Sequence, residues 1–362
     1  MSELGKKWLA EIHALKFPQP VALLNVCGGH ERSLVMAGLR SVLPKWVTLI
    51  PGPGCPVCVC PEKDIAAAIR LAMAGKVVAA FGDMLRVPVQ KEANQPRSLE
   101  EARAAGGTVV PVASPTDAVA LAHHYAGREV VFLAAGFETT MAPVAAALAG
   151  GVKDNFSLLL AGRLTWPVVA MLLAEGKPGF DGLILPGHVC TITGMEEWSF
   201  VPEKHGIPCA VAGFLPELLL ESFHGVLQQL ARQEARLLNC YPQAVRPGGN
   251  STARRLLAEV FQVVDAPWRG VGMIAASGYA LQSKYSHLDG WQRYASLLQD
   301  LAGEEGGKMP AGCGCAQVVL GKLPPDQCLL YGRGCTPAQP VGPCMVSDEG
   351  ACRIWWRGGV GR

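Results

Sequence analysis

Net charge of either sign is what this sequence most plainly lacks, since 32 Lys and Arg offset 30 Asp and Glu to leave +2. Binding along a nucleic-acid backbone needs a basic field, so nucleic acid is not an expected partner. Long apolar runs are also missing. Gly, Pro or a charge interrupts each one short of the roughly 18 residues a membrane span requires. The first 17 residues mix Lys6, Lys7, Glu11 and Lys16 with apolar residues at helical spacing. They read as an amphipathic helix and not as a secretory leader, so a cytoplasmic protein is expected. A CxxxCxxC motif is absent, which leaves radical SAM chemistry without support, and no internal repeat is visible. Disorder is excluded by 50% hydrophobic residues and the low net charge.

Cysteine, in contrast, is abundant. There are 13, an odd number, and without a secretory leader they do not suggest a disulfide framework. Four lie between Cys27 and Cys60 and six between Cys313 and Cys352, a clustering that points to metal or redox chemistry. Cys190, Cys209 and Cys240 lie outside both groups and read as small buried hydrophobes.

The length of 362 residues suggests two or three domains. Short apolar runs predict strands at Val21–Val26, Val47–Ile50, Val77–Phe81, Thr108–Val112, Val130–Ala134, Ser157–Ala161 and Leu183–Leu185. Helical stretches alternate with them at Glu62–Met73, Leu99–Ala105, Pro115–Ala126 and Trp166–Ala174. That alternation means βαβ units and parallel sheets. The stretch is expected to divide near Ser114, giving α/β domains over 20–114 and 115–213. Beyond Gly213 the chain turns helical, most clearly at Glu217–Arg236 and Ser251–Val260. The tail beyond Gly303 is rich in Gly, Pro and Cys and buries little apolar surface, so a metal cluster is expected to hold it together.

Parallel sheets bind ligands beyond the carboxyl ends of their strands, and four unusual stretches follow predicted strands. Cys27-Gly28-Gly29-His30 offers a thiol and an imidazole in one glycine turn, expected to be exposed together and suited to a soft metal. Cys55 and Cys58 form a CxxC within Pro51–Cys60, compatible with either a reversible disulfide or chelation of one metal. Cys60 reads as a buried spectator. In Gly136-Phe137-Glu138-Thr139-Thr140 either Thr139 caps a helix, or Glu138 and the threonine hydroxyls face a ligand. His188 follows a strand in Pro186-Gly187-His188, whereas the other histidines outside the Cys27 turn read as structural.

In the tail, the gaps from Cys328 to Cys335, Cys344 and Cys352 are six, eight and seven residues. They match neither a zinc ribbon nor ferredoxin spacing, but four thiolates on loops suit a [4Fe–4S] cluster. Cys313 and Cys315 are open between ligand and redox partner.

These residues together resemble the hydrogenase maturation protein HypD family. The resemblance is carried by Cys27–His30, Gly52–Cys58, Phe81–Met84, Gly136–Thr140, Pro186–Val189, Trp268-Arg269-Gly270, Cys335-Thr336-Pro337, Pro340–Ser347 and Glu349–Cys352. It runs from about residue 20 to residue 355. It implies an assembly scaffold for the Fe(CN)2CO unit of [NiFe]-hydrogenases, with iron in transit. Two α/β domains would face each other across a cleft. A third, helical and cysteine-rich domain, from 1–19 and 214–362, would carry a [4Fe–4S] cluster. The implied partners are a HypC-type chaperone that helps hold the iron, a HypE-type cyanide donor and ultimately the hydrogenase large subunit. By position, Cys27 matches the iron ligand with His30 beside it, and Cys55 and Cys58 match a redox pair. His188 and Glu349 match functionally required positions, and Cys328, Cys335, Cys344 and Cys352 match the cluster ligands. The chain departs from the family pattern at Glu31 and Arg32, at Leu215 where a Glu is usual, and at Cys240. Two other classes use the same residues: a cluster-dependent thiol–disulfide oxidoreductase acting on another protein, and a zinc-stabilised binding module.

Overall fold

Short runs rich in β-branched and small apolar residues form the strands of the computed structural model, which describes residues 1–90, 95–176, 178–301 and 307–361. In chain order they are β1 Val21–Asn25, β2 Val47–Pro51, β3 Val77–Phe81, β4 Thr108–Val112, β5 Val130–Gly136, β6 Phe156–Gly162, β7 Gly182–Pro186, β8 Cys209–Ala212, β9 Leu237–Asn239, β10 Phe261–Trp268 and β11 Gly272–Leu281. One sheet is five-stranded, ordered β2-β1-β7-β8-β9, and a second is four-stranded, ordered β4-β3-β5-β6. Both are parallel throughout. The α/β class with two parallel sheets is therefore as the sequence indicates, and the seven expected strands form close to their expected bounds.

The division of those strands at Ser114 is corrected. The chain leaves the first sheet after β2, builds the whole second sheet, and returns to the first at β7. Ser114 looked like a boundary for a local reason. It caps helix Pro115–His124 in a reciprocal capping box with Asp117. Residues beyond Gly213 also serve the first sheet, because β9 is its edge and helix Pro216–Ala231 packs on β7 and β8. The start of the expected tail, Gly303–Gly306, lies outside the described residues.

Alternation along the strands sets the layers. Leu24, Leu183, Leu185 and Val211 of the first sheet share one apolar core with Val78, Ala80, Val131 and Leu133 of the second. Helix Glu62–Met73 contributes Ile65, Ala68, Ile69 and Ala72 to that core, its alanines allowing close approach. On the outer face of the first sheet, Leu23 and Ile184 pack with Phe223 of helix Pro216–Ala231 and Ile12 of the N-terminal helix Glu3–Ala14. On the outer face of the second, Val77, Ala79 and Phe132 form a separate cluster with Met141.

The stretch read as helical after Gly213 contains an antiparallel hairpin, β10–β11. A register shift between Val264 and Ala266 breaks the alternation that would have announced it. Among the described residues no helix is long and apolar enough to cross a membrane.

Candidate functional site at the ends of two sheets

Strand register brings the site together. Asn25 of β1 pairs with Pro51 of β2, and Pro186 of β7 with Ala212 of β8, so four loops leave the first sheet at one edge. The first two are locked backbone to backbone. Gly28 N–H donates to Gly54 O at 3.1 Å, and Gly52 N–H to Asn25 O at 2.9 Å. A Cβ on Gly54 would strike the Cys27 and Gly28 backbone, and one on Gly28 would strike the Glu349 carbonyl. The closeness of these chains requires glycine. Cys27 stands at the N-cap of helix Gly28–Met36.

A cavity of about 170 Å³ opens where these loops meet the ends of the second sheet. Cys27, His188 and Phe214 line it from the first sheet, Thr139 and Thr165 from the second, and Glu349 from the tail. Burial pushes the Cys27 thiol up to about 12, and the neighbouring Glu349 adds to the effect. The group is a neutral thiol at neutral pH, and it acquires charge when a soft metal takes the place of its proton. Glu349 sits at the rim, where surrounding protein and then Asp83 raise its carboxyl to about 7 against the pull of Arg32. His188 stacks on Phe214 with ring centroids 3.7 Å apart, and partial burial lowers its pKa.

His30 corrects an expectation. It is not exposed beside Cys27 but fully buried. Its Nδ1 lies 3.2 Å from Asn25 Oδ1 and its Nε2 lies 3.1 Å from Ala212 O. Burial lowers its pKa to about 3. The ring braces β1 to the end of β8 and turns neither nitrogen to the cavity.

The capping reading of the Gly136–Thr140 turn is corrected, because Phe137 stands at the N-cap of helix Glu138–Ala149 and no side chain caps it, and the ligand-facing reading holds for Thr139 but not for Glu138. Thr139 faces the cavity, while Glu138 lies behind the wall with no exposed surface. Glu138 Oε1 accepts the Thr165 N–H at 2.7 Å and its hydroxyl at 3.0 Å. Burial lifts this carboxyl to about 7. Thr165 escaped the sequence reading, although a Thr directly before Trp166-Pro167 is a recognisable helix start.

Cys55 and Cys58 form a disulfide with Cα atoms 5.3 Å apart. Cys55 caps the short helix Pro56–Val59, and the Cys58 N–H donates to its sulfur at 3.2 Å. A narrow gap of about 10 Å³ is bordered by Cys27, Cys55, Cys344 and Glu349 together. Cys60 is fully buried, its thiol pushed up by that burial.

Side-chain bonds join four of the tail's six thiols, Cys313, Cys315, Cys344 and Cys352, while backbone groups meet Cys328 and Cys335. Cys315 and Cys352 donate hydrogen bonds to Cys344, which pulls the Cys344 thiol well below the usual thiol range. Cys313 bonds to Cys315, and both sulfurs lie against Gly342. Backbone N–H groups point at sulfur repeatedly: Gly314 to Cys328, Val341 to Cys335 and Cys352 to Cys344, each at 3.3 Å. Among the described residues no three Cys, His, Asp or Glu side chains converge as ligands of a single metal ion. A cluster makes a different demand. It needs four thiolates on loops with amide donors to sulfur, and this donor set fits it.

Fold and site define a cysteine-rich α/β protein whose two sheets end at a shared cavity bearing the Cys27 thiol, with a disulfide and a thiol-rich tail nearby. The HypD profile, described as the hydrogenase formation hypA family, matches residues 3–359. A hydrogenase expression/formation protein of Methanocaldococcus jannaschii is 41% identical over 339 residues, 92% of this chain and 91% of that one. The hydrogenase maturation factor HypD of Rhodobacter capsulatus is 37% identical over 372 residues, 99% and 96% of the two chains. That of Escherichia coli is 35% identical over 344 residues, covering 94% and 89%. The chain belongs to the HypD family of hydrogenase maturation factors.

Proposed function

We propose that this chain is the scaffold on which iron receives cyanide and carbon monoxide during hydrogenase maturation, with Cys27 as its thiolate. The observation that carries the reading is the inter-sheet cavity where Cys27, His188 and Glu349 meet. Low-spin iron with diatomic ligands is soft and takes thiolate donors, so a HypC-type chaperone would add a second. A HypE-type donor would deliver cyanide across the open rim, and the finished Fe(CN)2CO unit would pass to the hydrogenase large subunit. Work in the cytoplasm suits a chain with this many free thiols. Cys55 borders the narrow gap that it shares with Cys27, and the Cys55–Cys58 pair would form a two-electron store: reduction to the dithiol takes up two electrons and two protons, and reoxidation returns them. Cys328, Cys335, Cys344 and Cys352 would hold a [4Fe–4S] cluster, which supplies single electrons when bound. A general thiol–disulfide oxidoreductase is less well supported, because Cys55 and Cys58 are 4% and 2% exposed and offer a protein substrate little access.

The test is infrared spectroscopy of the chain purified anaerobically with its maturation partners. Cyanide and carbon monoxide bands are expected in the native complex and lost in Cys27→Ala, with the brown colour of the tail centre retained. Bands that persist in Cys27→Ala overturn the assignment.

A further inference from the structure

Trp268-Arg269-Gly270, the turn of the β10–β11 hairpin, has no part in the cavity, yet it carries an anomalous charge. Arg269 is 1% exposed. Its Nη2 donates to Glu62 Oε2 and to Pro88 O, both at 2.8 Å. Its Nε and Nη1 have no acceptor among the described residues. Glu62 supplies a carboxylate to one nitrogen only, and the two idle donors leave the buried guanidinium under-satisfied unless a further anion completes it. Its placement says which anion. The Arg269 backbone N–H donates to Val59 O at 3.0 Å, between Cys58 and Cys60. Gly270, in a left-handed conformation with φ of 71°, lies against Ala316, the neighbour of Cys315. The thiols that feel the Arg269 charge are Cys60 and Cys313, and Cys313 bonds to Cys315 at the edge of the Cys315–Cys344–Cys352 trio.

We propose that Arg269 is the positive partner of the tail's sulfur centre, its idle N–H groups stabilising anionic sulfur and so raising the reduction potential of that centre. The inference rests on the cluster reading above. Reduction adds one electron and no atom to a centre already negative through its thiolates, and a fixed buried cation favours the more negative state. Glu62 moderates the effect as the carboxylate bonded to the same guanidinium. Arg269 is thus a positioning residue for charge and not a ligand.

The experiment is an anaerobic redox titration, with dithionite as reductant, of the full chain reconstituted with iron and sulfide and followed by electron paramagnetic resonance. Arg269→Gln is expected to disfavour reduction by about tenfold, a fall of about 59 mV for one electron. Arg269→Lys should fall less, and Glu62→Gln should move the potential the opposite way. Potentials that stay put, or that move the same way in Arg269→Gln and Glu62→Gln, overturn the proposal. If Arg269→Gln does not fold, the sign of the Glu62→Gln shift decides alone. A shift confined to the Cys55–Cys58 couple, titrated with a dithiol buffer, also overturns it. A wild-type chain that binds no cluster sinks the cluster reading and this inference together. A cluster of unmoved potential sinks this inference only.

Discussion

The cavity at the sheet ends and the cysteine tail are built on opposite principles. Around Cys27 position comes from backbone: two strands in register, glycines without Cβ atoms, and loops bonded main chain to main chain. In the tail, position comes from sulfur, with thiols bonded to one another and amides aimed at them. The first kind of site is pre-formed and nearly indifferent to its occupant. The second rests on apolar packing as well, against the sequence expectation: Val318, Val319, Tyr331, Met345, Ile354 and Trp355 are buried in the core that the two sheets share.

The joint between the two regions should be the most sensitive point. Glu31, on the helix after Cys27, accepts from Arg40 at 2.7 and 2.8 Å and from the Trp355 indole of helix Ala351–Arg357 at 2.7 Å. Its carboxylate is 2% exposed. The side chain forms a buried tie between cavity and tail. Glu31→Ala strands both donors and is expected to cost about 4 kcal/mol. Urea unfolding measures the loss, and amide exchange should show the residues of helix Ala351–Arg357 opening before β1. Equal protection of both segments would mean that the tie does not join the regions.

Next in size is the backbone-built side. Gly54→Ala forces a Cβ into the Cys27 main chain, whereas Gly334→Ala in the tail meets nothing closer than Leu330 Cδ2 at 3.5 Å. The first should cost about 3 kcal/mol, and the second should be within about 0.5 kcal/mol of neutral. Equilibrium unfolding of the two variants side by side checks the contrast. Similar losses would show that the Cys27 loops relax more than their packing implies.

The same division explains what could be read from the sequence. Strands β1 to β7 were legible because a parallel strand buried on both faces is a continuous apolar run. Cys27 and His188 were legible because each stands two residues beyond the end of such a run, and Cys55 stands four residues beyond one. The sheet to which a strand belongs was not legible, since β1 pairs with a strand more than 150 residues away and no local pattern encodes that. His30 was misplaced for the same reason: its burial depends on Ala212, 182 residues further along the chain. Glu349 follows no strand, and only the family resemblance indicated it. The β10–β11 hairpin was hidden by its own bulge and by Pro267.

The smallest expected effect tests whether the second-sheet wall of the cavity stores a proton. Glu138 is fully buried, and its carboxyl rises to about 7 from an ordinary 4.5, chiefly through burial and against the Thr165 hydrogen bonds. A carboxyl whose folded pKa is raised contributes stability that is fully present below its unfolded value and is lost as pH climbs through the folded one. Between pH 5 and pH 7 this group alone should remove about 2 kcal/mol. Glu138→Gln keeps an acceptor for Thr165 but cannot ionise, so its unfolding free energy should fall less across that window than that of the wild type. The difference between the two pH profiles isolates Glu138 from Glu349, which is present in both. Parallel profiles would mean that solvent reaches Glu138 and that the wall behind Thr139 is wetter than its packing shows. A steeper fall in the wild type would place a titratable proton one hydroxyl away from the cavity, on the sheet opposite Cys27.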